Sequence, residues 1–280
     1  MAILCTAQKE KCVKGDKISR FFKENRELWD GWTDIHKKSV SYDVDGFKKG
    51  TSSLKSIELE ELGDVSGKEL LHLQCHFGLD TLSWARLGAQ VTGVDFSPSA
   101  IEYAKSLKDE LRIEADFVCS NIYDLNYIVH QKFDIVFTSY GVLCWLPDLE
   151  KWAQTIYKHL KRGGTFYIVE FHPLLSMFGD DGSFTYPYFH NEQPMEFDCQ
   201  GSYADPNAAF VHKSYEWSHS LSDIITYLIK AGLQIEFLHE FPFTICGDHP
   251  FLVQGTDGLW RHKDKNVKIP MMFSIRAKRP

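Results

Sequence analysis

The chain has 280 residues, 44% hydrophobic and 25% charged, enough for one large α/β domain or a core domain plus a cap. A formal charge of −7 argues against a nucleic-acid partner, whose phosphates need a basic face. No run of about 18 apolar residues offers a membrane span, and the seven scattered cysteines, with no C-x-x-C, fit free thiols in a reducing cytoplasm.

The N-terminus turns polar almost at once, through QKEKCVKGDK, so no signal peptide is expected. ISRFFKENRELWDGWTDIHKKSV then reads as a helix, with Phe21, Phe22, Leu28, Trp29 and Trp32 on one rough apolar face. SYDVDGFKKGTSS reads as a loop and LKSIELEELGDV as a short helix. This front piece, residues 1–66, precedes the first strand and is placed to lie across the mouth of a sheet.

Leu70–Leu73 is a buried strand, and the helix after Gly78 stops near Gly88. QVTGVDFS is the second strand; Ser97-Pro98 then supplies an N-cap and a first-turn proline. Ile101, Ala104, Leu107 and Leu111 mark the buried face of the helix that follows. ADFVCS and FDIVFTSY are the third and fourth strands. Leu149, Trp152, Ile156 and Leu160 recur at helical spacing up to a Gly163-Gly164 stop, and TFYIVEF is the fifth strand. Residues 174–219 break this rhythm with turns and aromatic clusters, which reads as an inserted cap with short antiparallel strands. The alternation resumes with a helix at LSDIITYLIKAG and strands at QIEFLHEF and MMFSIRAK. Strands alternating with helices imply a doubly wound, parallel Rossmann-like sheet over residues 67–280.

Ligands of such sheets sit beyond the carboxyl ends of the strands. Four loops lie there. The first, Gln74-Cys75-His76-Phe77-Gly78, has the strand–turn–helix setting of a phosphate or nucleoside loop but keeps one glycine. The second holds Asp95, with Phe96 and Ser97, seventeen positions after Gly78, where a carboxylate can take two hydrogen bonds from ribose hydroxyls. In the third, Asn121 can read an adenine edge while Ile122 packs on the ring; a plain turn asparagine is the competing reading. The fourth, Ser139-Tyr140-Gly141-Val142, leaves the fourth strand where a reacting group belongs.

With HLQCHFG, VTGVDFS, SNIYDL, FDIVFTSYGVLCWLPDLEKW and LKRGGTFYIVE in this order, the chain resembles the class I S-adenosylmethionine-dependent methyltransferases of the small-molecule type. The resemblance runs from about Gly67 to Phe171, with the closing helix and two strands. It implies seven strands with the last antiparallel, and S-adenosylmethionine as cofactor. The family's first loop reads acid-x-Gly-x-Gly-x-Gly; here His72 stands at the acid, Gln74 and His76 at the first two glycines, and Gly78 keeps the third. A residue near Tyr42 is expected to help hold the methionine end that His72 cannot.

Other chemistries fare worse. His72, Cys75 and His76 lack a second ligand pair at zinc-like spacing, so no metal is expected. A nicotinamide enzyme would want G-x-G-x-x-G, and a serine hydrolase G-x-S-x-G; neither is present. A protein that binds the cofactor without transferring its methyl group is the alternative, as is an acceptor on a protein side chain or a lipid-like quinone. His172, after the fifth strand, is the first candidate base, with His36 second; Tyr140 is best placed to touch the methyl group or acceptor. Phe184, Tyr186, Tyr188, Phe189, Tyr203 and Trp217 are candidates for a lid or for the cap's own core. The expected partner is a small-molecule acceptor, and a homodimer is left open.

Overall fold

The structure is a computed structural model that describes residues 2–280, with side chains from Lys17 onward. Helix α1 (Ala2–His36) leads through α2 (Val44–Lys48) and α3 (Ser56–Leu62) into β1 (Glu69–Leu73). Then come α4 (Leu79–Arg86), β2 (Gln90–Asp95), α5 (Pro98–Leu111), β3 (Asp116–Cys119), β4 (Phe133–Ser139), α6 (Leu149–His159) and β5 (Leu160–Phe171). The rest is β6 (Met195–Gln200), β7 (Val211–Glu216), α7 (Leu221–Lys230), β8 (Gln234–Phe241), β9 (Leu252–Gln254), β10 (Trp260–His262) and β11 (Met272–Lys278).

Seven strands form one sheet in the order β3-β2-β1-β4-β5-β11-β8. All pairs from β3 across to β5 are parallel, and β11 runs antiparallel to both its neighbours. The expected doubly wound sheet, with its last strand reversed, is therefore present. Its order turns back between β1 and β4, and that opens a crevice at their carboxyl ends.

Side chains alternate across β1, so Leu70 enters one core and Leu71 and Leu73 the other. Trp84 anchors the first core and Trp152 the second, each fully buried. Helix α5 starts as the sequence predicts: Ser97 accepts from the Ala100 N–H and Pro98 opens the first turn. Gly78 precedes α4 at φ 80°, and a Cβ there would lie 2.6 Å from the Phe117 ring, so both backbone and packing require glycine.

Three local readings change. Residues 44–48, within the stretch read as a loop, form a helical turn capped by the Asp43 carboxylate, which accepts from the Gly46 N–H. Helix α6 ends at His159, and Leu160 already belongs to β5, because its chain pairs with β4 from Phe133 onward through an irregular register. The segment between β8 and β11 carries a hairpin, β9–β10, that periodicity did not reveal. Residues 174–219, read as a cap, contain the expected antiparallel pair, β6–β7. Among the described residues, no helix is long and apolar enough to cross a membrane.

Candidate functional site

The first loop keeps the backbone of a glycine loop without its glycines. Gln74 and His76 stand at φ 56° and 50°, the left-handed region that costs a side-chain-bearing residue about 1 kcal/mol or more. Each side chain makes a long-range tie. Gln74 Nε2 donates to the Val142 carbonyl at 2.9 Å, joining the first loop to the loop after β4. His76 Nε2 lies 3.0 Å from His36 Nδ1 and joins it to the end of α1. Burial holds both imidazoles uncharged, His36 at about 3 and His76 well below the ordinary histidine value. His72, Cys75 and His76 do not converge: His72 Nδ1 meets the Thr81 hydroxyl at 2.8 Å, while His76 turns toward α1.

Asp95 closes β2 at the same crevice and is 8% exposed. One carboxylate oxygen accepts from the His76 N–H at 2.8 Å and the other from the Ser97 N–H at 2.9 Å. Each oxygen keeps a lone pair for a ligand hydroxyl. Burial pushes this carboxyl up to about 6 against the pull of its backbone donors. The reading of Ser97 as a helix cap holds, and its hydroxyl also donates to Asp30 of α1 at 2.6 Å. Phe96 is half-buried beside it. Asn121 Oδ1 accepts from the Tyr123 N–H at 3.0 Å, closing a local turn, and Ile122 is buried in the second core.

Helix α1 lies over these loops. Asp30 accepts from Ser97 and Ser99, and Trp29 and His36 pack on His76. The helix is bound in turn to the cap. Asn25 exchanges two hydrogen bonds with the backbone of Tyr215, and Trp32 Nε1 donates to the Gly201 carbonyl at 2.8 Å. Tyr42 stacks on His36 at 4.9 Å, and its hydroxyl meets that of Tyr203 from the cap. Of the cap aromatics, Tyr203 thus reaches the crevice and Trp217 is buried against Phe21; Phe184 and Phe189 are exposed.

The loop after β4 is organised by an acid that sequence reasoning missed. Glu170, at the end of β5 and 3% exposed, accepts from the N–H groups of Gly141, Val142, Leu143 and Phe171. Tyr140, at φ 28°, donates through its hydroxyl to Glu58 Oε2 at 2.7 Å. Ser139 donates to Asp80 Oδ2 at 3.1 Å, and Ser53 to Asp80 Oδ1 at 2.6 Å. Burial raises the Tyr140 phenol far above its ordinary value, with Glu58 adding to the shift, so it stays a donor rather than a base. An acid ending an apolar strand at the ligand end of the sheet was a usable signal for Glu170. Glu58 and Asp80 lie among other acids or in a first helical turn, where nothing in the sequence separates them.

Glu58 is fully buried, and burial first, with Asp80 adding to it, pushes its carboxyl up to about 7. The folded protein therefore holds this proton more tightly than the unfolded chain. The linked stability is full below about pH 4.5 and is lost as pH rises through 7, a fall of roughly 3 kcal/mol. Thermal melts across that range should show Tm falling with pH in the parent and falling less in Glu58→Gln. Parallel curves would remove the assignment.

His172 is buried beside β8. Its Nδ1 accepts from the Leu174 N–H at 3.1 Å, and its Nε2 lies 3.0 Å from Glu240 but off the line of a good hydrogen bond. Beside Tyr140 and Phe171 there is instead a cavity of about 170 Å³ lined by Phe171, Leu175, Thr244, Cys246, Asp248 and His249. A larger recess of about 560 Å³ flanks α6 and holds none of the candidate residues. Burial raises the Tyr42 phenol well above its ordinary value, and Asp80, Cys246 and Asp95 add to the shift.

The comparisons with known proteins now bear on this geometry. Residues 71–168 match the family model of the methyltransferase domain. A ubiquinone biosynthesis O-methyltransferase of Xanthomonas oryzae pv. oryzae (strain PXO99A) is 30% identical over 130 residues, 45% of this chain and 54% of that protein. Residues 71–168 are thus a methyltransferase domain. The chain spans about half the length of the curated relatives it matches. Among solved structures, an S-adenosylmethionine-dependent methyltransferase of Clostridium acetobutylicum superposes with a TM-score of 0.56 at 16% identity, covering 90% of this chain and 98% of that one. A glycopeptide N-methyltransferase, MtfA, solved with S-adenosylmethionine, gives 0.51 at 17%, covering 80% and 86%. These two likenesses concern the fold.

The residues fit the methyltransferase cofactor. Four polar atoms around the crevice are buried without a protein partner: Trp29 Nε1, His36 Nε2, Gln74 Oε1 and His76 Nδ1. Buried polar atoms left unpaired cost about 1–3 kcal/mol each, so a polar ligand that meets them gains that much. A nucleoside has both donors and acceptors to offer.

Proposed function

We propose that the chain transfers a methyl group from S-adenosylmethionine to a small acceptor held between Tyr140 and the 244–249 segment. The observation that carries this reading is the loop after β4, which Gln74 ties to the first loop and which packs Tyr140 on Phe171 of the cavity wall. A donor site and an acceptor site thus share one wall. Asp95 would hold the ribose hydroxyls, and Gln74, His76 and Gly78 would shape the first loop against the cofactor. Asn121, Ile122 and Phe96 would line the adenine end, and Ser139 and Tyr140 the methyl end.

The cofactor supplies a methyl group already activated by a sulfonium charge. The protein's work is positioning and exclusion of water. Helix α1 and the cap cover the crevice, and Phe171 and Tyr140 present apolar surface to one side of the cavity. For a hydroxyl acceptor a base is useful. His249 suits that role better than His172, because its Nδ1 is buried without a partner at the cavity and burial keeps its ring uncharged. The related enzymes named O-methyltransferases make a hydroxyl oxygen the first acceptor to try.

Calorimetric titration with S-adenosylmethionine, S-adenosylhomocysteine and NAD tests the reading. Micromolar binding of the first two and not of NAD supports it; binding of none, with or without phenolic acceptors, ends it. In the acceptor assay, His249→Gln should lower turnover at least tenfold and leave S-adenosylhomocysteine binding unchanged.

A further inference from the structure

Four carboxylates stand around the crevice, and three are already engaged. Asp30 accepts from Ser97 and Ser99, and Asp95 from His76 and Ser97. Glu58 is fully buried and takes the Tyr140 hydroxyl and the Lys55 N–H. Asp80 differs. It is half-buried, its partners are the hydroxyls of Ser53 and Ser139, and no Lys, Arg or His forms an ion pair with it among the described residues. It stands in the first turn of α4, directly after the first loop, and at the end of β4, so it faces the meeting point of the two central strands.

The neighbouring side chains keep other charge out. His72, 2% exposed, lies beneath Asp80 and is held uncharged by burial; it meets Ser139 at 3.5 Å. Tyr140 follows Ser139 in the chain, and burial keeps its phenol and that of Tyr42 protonated. On the far face of Tyr42, the fully buried His36 keeps its Nε2 unpartnered. A carboxylate oriented by serine donors, near the buried Glu58 carboxyl and with no counter-ion among the described residues, is built to receive a cation from a ligand.

We propose that Asp80 binds the primary ammonium of the cofactor's amino-acid end, while Asp95 binds its ribose. The negative charge at this end then comes from the helix after the first loop, with Ser53 and Ser139 holding it in place. Asp80 is a binding residue on this view and takes no part in bond making. The assignment rests on the S-adenosylmethionine reading above, and the test separates the two.

The parent protein and Asp80→Asn are titrated with S-adenosylhomocysteine and with 5′-methylthioadenosine, which has the nucleoside and thioether but no ammonium. Asp80→Asn should weaken S-adenosylhomocysteine at least tenfold and change 5′-methylthioadenosine less than twofold. Asp80→Ala, which adds no new donor, should give the same pattern, and a circular-dichroism melt confirms that both variants fold. An equal loss for both ligands would overturn the assignment and make Asp80 a loop residue. No loss for either would overturn it outright. Failure of the parent to bind S-adenosylhomocysteine would overturn the cofactor reading with it.

Discussion

Asp95→Ala should weaken binding of S-adenosylhomocysteine about 10- to 100-fold, the loss of charge-assisted hydrogen bonds worth about 1.5–3 kcal/mol. On the proposed reading the carboxylate has two tasks: it faces the ribose position and it holds the His76 and Ser97 N–H groups. Asp95→Asn separates them, because an amide oxygen still accepts from one backbone donor while the charge is gone. A calorimetric series across parent, Asn and Ala variants should therefore fall in two steps. In contrast to Asp80→Asn, both variants should lose 5′-methylthioadenosine as well. Unchanged affinity in the Ala variant would remove the ribose assignment.

Glu170→Ala should be the most destabilising single change at the site. It leaves four N–H groups, from Gly141, Val142, Leu143 and Phe171, without their acceptor at a position that is 3% exposed. Breaking a buried charged network of this kind costs about 3–5 kcal/mol. For a chain of this size that lowers Tm by roughly 6–20 °C. The loop it shapes carries Tyr140 and, through the Val142 carbonyl, the tie to Gln74. Cofactor binding should therefore weaken in the folded fraction too. A Tm within 2 °C of the parent would show that water or a neighbouring side chain replaces Glu170 at little cost.

The sheet was legible because each core strand is a short apolar run between turn signals, and because Ser97-Pro98 and Gly78 punctuate the helices in ways only local geometry explains. The place of Asp95 at the carboxyl edge of the sheet was legible for the same reason: it closes an apolar strand. What escaped the sequence was pairing at a distance. Gln74 and His76 look like damage to a glycine loop until Val142 and His36 are seen beside them, 68 and 40 positions away. Glu58 looks like any acid in SIELEEL, and its burial arises only when Tyr140 arrives from β4. The β9–β10 hairpin escaped because its strands are three residues long, too short to show a period.

The path of α1 has a consequence in time. It crosses the ends of β2 and β1 and is fastened to α5 by Asp30, to the first loop by His36 and to the cap hairpin by Asn25 and Trp32. A ligand of nucleoside size passes in or out only when some of these ties part. Association is then gated by that opening. On the proposed methyl transfer the same gate slows escape of the demethylated cofactor, so the steady-state rate reports the loosening of a helix more than the movement of a methyl group.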